Sequence, residues 1–327
     1  MLKIGNILFD STKLFLAPMD DISDFPFRSI CKELGTDITI SEFIASDALI
    51  RNVEKTKQKM LFSEKDRPFG IQIFGNNKEN MCNAAKIVET YQPDFIDINW
   101  GCPAKKVAGK GSGSGMLQNI PLLIDITKAI VTSVKLPVTV KTRIGYNDEN
   151  KNIVDLSERL QDVGIQAISI HGRTKIQMFK GEADWSLIGK VKANPKIQIP
   201  IIGNGDIISA EKALSMKNTY HVDGIMIGRA SIGNPWIFKA CRKSLDNHND
   251  YTEPSMTERI DTCKKHFLLS IENKGEYTGL IEMRKHYKAY FKEINDFKTF
   301  RIKLMSLNTV IEVLDLFNEI KIKYGNR

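Results

Sequence analysis

Cysteine is scarce in this chain, and its five copies (Cys31, Cys82, Cys102, Cys241 and Cys263) are odd in number, far apart and never spaced as CxxC. That argues against a disulfide framework and a structural zinc site. Most of them read as small core residues. The five histidines contain no HxxxH pair, so no metal site is expected. No window approaches the roughly 18 uninterrupted apolar residues of a membrane span. The N-terminus "MLKIGNILFDSTK" lacks the long apolar region and small-residue cleavage site of a signal peptide. The expectation is a soluble, cytoplasmic protein with no membrane partner. Low-complexity segments and long internal repeats are missing too.

What is present is a regular alternation. Short β-branched runs are followed by longer amphipathic ones: "LFLAP" by "FPFRSICKEL", "DITIS" by "SDALIRNVEK", "FGIQIFG" by "NKENMCNAAKIVETY", and "FIDIN" by "IPLLIDITKAIVTSV". The pattern continues with "PVTVKTR" before "NIVDLSERLQDV", "AISIHG" before "DWSLIGKVKA", "IPIIGNGD" before "SAEKALSM", and "VDGIMIGR" before "GNPWIFKACRKSL". Near-continuous apolar strands mark a buried parallel sheet, and eight strand-helix units fit an α/β fold of the (β/α)8 TIM barrel type better than an open doubly wound sheet. Beyond the polar "DNHNDYTEPSMTE" the apolar spacing becomes three and four throughout, with Ser255 and Glu258 placed as a capping box. This predicts a barrel over residues 1–247 and a small all-helical domain over 248–327.

A barrel enzyme carries its chemistry at the C-terminal ends of its strands, whereas a purely structural barrel needs nothing in particular there. Here the strand ends carry Met19, Glu42, Gln72, Asn99 with Cys102, Lys141 with Arg143, His171, Asn204 with Asp206, and Arg229. Singly, each has a plain structural explanation. Together they describe one polar mouth. The loops "GNGDI" and "GRASIGNP" add glycine backbones, helix N-termini and a guanidinium, which suit a phosphate. The net charge of +8 and pI near 9.1 fit an anionic partner, or only a basic solvated surface.

The segments "FLAPMDDISDFPFR", "QIFG", "DINWGCPAKKV", "VKTRIG", "ISIHGRT" with "KGEADW", "IGNGDI" and "DGIMIGRASIGNPWIF" resemble the flavin-dependent tRNA-dihydrouridine synthases, most closely their bacterial B-type branch. The resemblance spans nearly the whole chain in order. It implies a flavin barrel with a helical tRNA-binding tail. It also implies that Ala17, Pro18 and Met19 line the FMN ring, that Gln72 and Lys141 bond its polar edge, that His171 supports it, and that Asn204, Gly205, Asp206, Gly228 and Arg229 hold its phosphate. Trp100, where the family often has Met, and the glycine-rich "GKGSGSGML" depart from the pattern and bear on the loop between them.

The implied reaction saturates the uracil C5–C6 bond, taking a hydride at C6 from reduced FMN and a proton at C5, with NADPH or NADH as the source of electrons. A thiol, with an ordinary pKa near ~8.5, is mostly protonated at neutral pH and can donate that proton, which singles out Cys102. Asn99 is the expected contact to the uracil edge, and Arg143 and Arg173 to the substrate nucleotide or its neighbours. From Met256 onward there are 14 Lys or Arg against 10 Asp or Glu, so half of the chain's surplus lies in under a quarter of its length. Arg284, Lys288 and Lys292 recur every four residues, flanked by Lys285, and form a stripe suited to RNA phosphates. The resemblance implies the tRNA D-loop as the target, with position 17 the expected uridine; a monomer is expected. Two other readings stay open from the residues alone. One is a Schiff-base lyase with Lys141 as its amine, acting on a sugar phosphate and trappable by borohydride. The other is a non-catalytic RNA-binding module, for which Cys102 would be dispensable.

Overall fold

The computed structural model describes residues 2–248, 250–292 and 294–325. Eight parallel strands form the barrel: β1 (Lys13–Leu16), β2 (Thr39–Ile40), β3 (Phe69–Phe74), β4 (Phe95–Trp100), β5 (Val138–Arg143), β6 (Ile168–His171), β7 (Ile201–Asn204) and β8 (Gly224–Ile227). Their order is β1-β8-β7-β6-β5-β4-β3-β2. The ring closes where Ile38, just before β2, bonds to β1, with Leu16 N to Ile38 O at 3.1 Å and Ile38 N to Leu14 O at 3.1 Å. A further short strand, Ile44–Ala45, pairs with β3.

A barrel helix follows each strand: α1 (Phe25–Glu33), α2 (Ser46–Ile50), α3 (Lys78–Thr90), α4 (Ile120–Ser133), α5 (Ile153–Asp162), α6 (Ser186–Ala193), α7 (Ala210–Tyr220) and α8 (Ile237–Leu245), with a further single turn, Lys105–Ala108, between β4 and α4. The first shows why they start where they do. Asp24 Oδ1 accepts from Phe27 N at 3.0 Å and Pro26 sits in the first turn, so a donor is satisfied and a missing one costs nothing. The single helix expected over "SDALIRNVEK" is instead two five-residue pieces, α2 and Glu54–Gln58. Between them Asn52 turns the chain with a φ of 58°, a left-handed conformation that Asn tolerates better than most residues. The "GSGML" stretch is likewise no plain loop but a buried 3-10 helix, Gly113–Gln118.

Strand alternation sorts the side chains into two layers. Outward residues such as Ile71, Ile73, Ile96, Ile98, Val140 and Ile170 pack against the helices. Trp100 belongs to this layer, donating from Nε1 to Thr127 Oγ1 of α4 at 3.1 Å. Inward residues Phe15, Ile40, Phe95, Ile202 and Met226 fill the N-terminal half of the barrel. An antiparallel hairpin, Lys3–Ile4 with Ile7–Leu8, closes that end with Ile4, Ile7 and Phe9. The chemistry is therefore confined to the other end.

The tail forms α9 (Met256–Lys274), α10 (Glu276–Tyr290), α11 (Lys298–Ser306) and α12 (Val310–Tyr324). The capping box at the head of α9 is present: Glu258 N bonds to Ser255 Oγ at 3.2 Å and Ser255 N to Glu258 Oε2 at 2.8 Å. Phe267, Tyr287, Tyr290 and Phe317 centre a second apolar core, which Trp236 of the β8–α8 loop joins. The barrel presses closely on the tail there. Gly233 has a φ of 69°, and a Cβ on it would lie 2.2 Å from the Ala289 carbonyl carbon of α10. On the other side of the contact, Lys274 of α9 pairs with Asp24, and Lys265 with Glu33 of α1 at 2.6 Å. Phe27 of α1 lies 5.6 Å, centroid to centroid, from both His266 and His286.

Candidate active site

Cross-strand register assembles the site. Gln72, Asp97 and Thr139 are neighbours in one inward layer of β3, β4 and β5. Above it stand Asn99 and Lys141, and above those Arg143, His171 and Asn204. A cavity of 730 Å³ opens at the C-terminal ends of the strands. Of the residues anticipated from the sequence, Ala17, Pro18, Met19, Asn99, Cys102, Lys141, Arg143, His171, Asn204, Gly205, Asp206, Gly228 and Arg229 line it.

The backbone around Cys102 is held from several directions. Asn99 Oδ1 accepts from Gly101 N at 3.0 Å and Cys102 N at 2.8 Å. Ser114 donates to Cys102 O through its amide at 3.1 Å and its hydroxyl at 2.9 Å. Arg143 Nε donates to Gly101 O at 2.8 Å. Burial pushes the Cys102 thiol above its ordinary value, and the nearby cations and the Ala104 amide only partly offset this. The thiol is protonated at neutral pH.

Cations gather beside it. Lys141 lines the cavity with no side-chain hydrogen bond among the described residues, and burial, aided by Arg143, brings its pKa down to about 8. Burial likewise lowers Arg143 to about 10. Desolvation and four surrounding cations hold His171 well below the usual range, so its imidazole is neutral. A neutral imidazole can donate or accept, while an ammonium seeks an electron-rich ligand edge.

At the β7–β8 side the chain turns through Gly205 (φ 124°) and Asp206 (φ 53°). Asp206 does not present a bare carboxylate. Burial alone would raise its carboxyl, but bonds from Arg173 at 2.9 and 2.6 Å and from Ala183 N at 2.8 Å bring it below its ordinary value. Arg229, 58% exposed, reaches the same carboxylate at 3.4 Å and stays open to a ligand. A Cβ on Gly228 would stand at ordinary contact distance from Ala17 Cβ (3.4 Å) and Met19 Sδ (3.6 Å), so its absence keeps that wall one carbon clear. The cavity thus has an apolar wall, an unpartnered ammonium and, on the β7–β8 side, a cation for phosphate. The residues present fit a flavin mononucleotide.

Two of the anticipated residues lie inside the wall, and a third is partly engaged with it. Gln72 is fully buried, its amide spanning from Asp97 Oδ2 (2.6 Å) to Asn99 Nδ2 (2.8 Å), and it does not line the cavity. Arg173 is 2% exposed, spent on Asp206 and on the Lys180 and Gly181 carbonyls, so it braces the wall rather than meeting a nucleotide. Arg143 lines the cavity, but it also donates to Thr174 O at 2.9 Å and Met178 O at 2.8 Å. Both arginines are long, buried cations that find carbonyl partners on a neighbouring loop, which strand spacing cannot reveal. Sequence reading also missed four participants: Asp97, Thr139, Ser114 and Phe179. Asp97 was detectable as a carboxylate two residues before Asn99 on an otherwise apolar strand. Phe179, half exposed at the mouth between Arg143 (5.7 Å) and Arg229 (5.0 Å), left no periodic signal. Glu42, expected at the mouth, is buried and does not line the cavity; it accepts from Asp21 N at 2.7 Å and pairs with Lys59 at 3.2 Å.

The tail stripe is only partly as expected. Arg284 is taken up internally, donating to Leu307 O and Asn308 Oδ1, both at 3.0 Å, and Lys285 lies 3.8 Å from Glu282. Lys288 and Lys292 are exposed. A 610 Å³ groove between α10 and α11 brings Lys288 together with Arg301, a residue on a different helix that the four-residue spacing could not include.

The dihydrouridine synthase (Dus) family matches residues 15–324. The chain is 39% identical over 289 residues to tRNA-dihydrouridine synthase B of Pasteurella multocida, covering 88% of this chain and 86% of that one. It is also 39% identical over 300 residues to tRNA-dihydrouridine synthase B of Vibrio vulnificus, covering 92% of each. Among solved structures, histamine dehydrogenase from a Rhizobium species superposes with a TM-score of 0.55 at 12% identity. That match covers 82% of this chain and half of the longer one, a likeness of barrel fold alone. With an eight-stranded barrel, a thiol at its mouth and a match running almost from end to end, the chain belongs to the dihydrouridine synthase family.

Proposed function

We propose that this protein is a tRNA-dihydrouridine synthase, which reduces the C5–C6 bond of a uridine in the tRNA D-loop, at position 17, with FMN as cofactor and NADPH or NADH as reductant. The observation that carries the reading is the protonated Cys102 thiol in the wall of a cavity that also presents Lys141, His171 and Arg229. Ala17, Pro18 and Met19 would lie against the flavin ring, with Lys141 at its polar edge. His171 would support it, and Asn204, Gly205, Gly228 and Arg229 would hold its phosphate. Gln72 serves from behind, through Asn99, and Asp206, in the lining with its carboxylate tied to Arg173, shapes the turn on the phosphate side. FMN held by these residues would supply the hydride chemistry needed at C6. Cys102 gives its proton to C5, and the unused N–H of Asn99 Nδ2 is free for a uracil carbonyl. Arg143 and Phe179 flank the entrance that the extracted base must pass. Residues 1–247 act as the catalytic unit and 248–327 hold the tRNA by its backbone, as a cytoplasmic monomer that needs neither metal nor membrane.

Deleting the gene should remove one dihydrouridine from the tRNA pool, and purified protein with FMN and NADPH should restore it. A protein that stays colourless after reconstitution with FMN would end the reading. Arg229→Ala should weaken FMN retention, measured by fluorescence titration. A charge-assisted bond contributes about 1.5 to 3 kcal/mol. Because Arg229 is more than half exposed, the screened end applies, roughly tenfold in Kd.

The tail gives a separate expectation. Replacing Lys288 and Arg301 together by Ala should weaken tRNA binding and lower its log–log salt slope by about two, one for each phosphate no longer neutralised. Flavin reduction by NADPH should be unaffected. An unchanged slope would leave the groove as solvated surface.

A further inference from the structure

We propose that Asp97 is a positioning residue: through Gln72 and Asn99 it sets the direction of the backbone that carries the Cys102 thiol. The argument is one of hydrogen-bond polarity. An Asn or Gln amide can turn either way, and only its surroundings decide which end donates. An ionised carboxylate has no such freedom, because it can only accept. Asp97 Oδ1 takes the Thr139 hydroxyl at 2.5 Å and Oδ2 takes Gln72 Nε2 at 2.6 Å. Gln72 is thereby obliged to present Oε1 to Asn99, whose Nδ2 donates to it at 2.8 Å. Asn99 is left with Oδ1 toward the loop, where it accepts from Gly101 N and Cys102 N. Turned over, Asn99 would aim its amino group at two N–H donors and both bonds would break. Thr139, at the far end, has a rotatable hydroxyl and cannot set the direction itself. Asp97 is 1% exposed, so the anchor lies too deep for substrate and acts only through its neighbours. Burial holds its carboxyl up at about 6, and the bonds from Gln72 and Thr139 and the charge on Lys141 keep it from rising further. At neutral pH it is the acceptor the relay requires.

The relay can be broken and rebuilt without changing shape. Gln72→Glu places two carboxyl groups face to face, and a donor survives between them only where the pair binds an extra proton. Adding Asp97→Asn restores every pairing with one bond reversed: the amide introduced at position 97 donates to the carboxylate at 72, Thr139 donates to the oxygen of that amide, and the second oxygen at 72 accepts from Asn99. Two readouts are taken on the purified protein with the flavin it carries. One is site-resolved alkylation of Cys102 by iodoacetamide, which needs no turnover. The other is dihydrouridine formation, which rests on the proposed function. Asp97→Ala, and Gln72→Glu at a pH where its carboxyl pair has lost the shared proton, should alkylate several-fold faster, while kcat falls by about 10- to 100-fold with little change in KM, the scale of a small misplacement of a reacting group. The double variant should recover both to within about threefold. Wild-type alkylation in Asp97→Ala would overturn the relay, and so would an impaired Gln72→Glu variant that adding Asp97→Asn does not improve. Should the protein form no dihydrouridine at all, the alkylation arm still decides the relay, so the two ideas fail separately.

Discussion

Cys102→Ala should bind FMN, accept electrons from NADPH and bind tRNA as the wild type does, and form dihydrouridine about 10²- to 10⁴-fold more slowly, the usual cost of removing a general acid. None of the spared steps uses the thiol. Cys102→Ser should recover little, since a hydroxyl is a far poorer proton donor. The thiol's environment also predicts the pH dependence. A general acid works protonated, and burial raises this thiol, so the single-turnover rate should hold level through neutrality and decline only on the alkaline side. Lys141, brought down to about 8, loses its charge before the thiol does, so the decline sets in from about that pH. Single-turnover chemistry on preloaded, reduced enzyme isolates the step. A wild-type rate for Cys102→Ala there would make Cys102 a small loop residue and send the search to another acid.

The second large effect lies at the junction of barrel and tail. His266 and His286 are both buried, 4.6 Å apart between ring centroids and packed on Phe27 of α1. Burial, with Lys274 and Lys285 adding to it, lowers His266 to about 3 and holds His286 well below the usual range. Both are neutral in the folded protein. The unfolded chain takes up their protons near pH ~6.5. The stability these neutral imidazoles permit is complete above that pH. It is lost as pH falls from there toward the folded values, because the unfolded state then binds protons that the native state cannot. Each imidazole contributes a slope of about 1.4 kcal/mol per pH unit over that window. Urea unfolding should therefore show a marked loss of stability between pH 7.5 and 5, beyond what the other titrating groups contribute. His286→Leu tests the assignment cleanly. Neither ring nitrogen of His286 has a hydrogen-bond partner among the described residues, so the substitution removes a proton-binding site without stranding a partner, and it should flatten the slope by about one proton. A slope unchanged in His286→Leu would mean that the imidazole titrates normally in the folded protein.

Much of this molecule is legible along the chain. Eight apolar runs alternating with amphipathic ones are a local, periodic signal, and they specify the barrel because a parallel strand buried on both faces must be apolar wherever it is not functional. The same logic exposes the exceptions. Cys102, Lys141, His171, Asn204 and Arg229 stand at strand ends where packing alone asks for nothing polar, and the structure brings all five to one cavity. What the chain does not disclose is which polar group faces which. Gln72 and Arg173 sit at strand ends as conspicuously as Lys141, yet both are turned into the wall, because Asp97 is brought beside Gln72 by the β3–β4 register and Asp206 is delivered to Arg173 by a loop 33 residues on. Arg284 belongs to a perfect four-residue stripe, but the turn before α12 captures its guanidinium, and Arg301 of α11 joins it in the groove. Trp236 reads as part of α8 and serves the core of the tail. Periodicity within one strand or helix is a property of the backbone and so is written in the sequence. The pairing of a buried carboxylate, guanidinium or imidazole depends on register and on loop closure between segments far apart, and only the tertiary structure decides it.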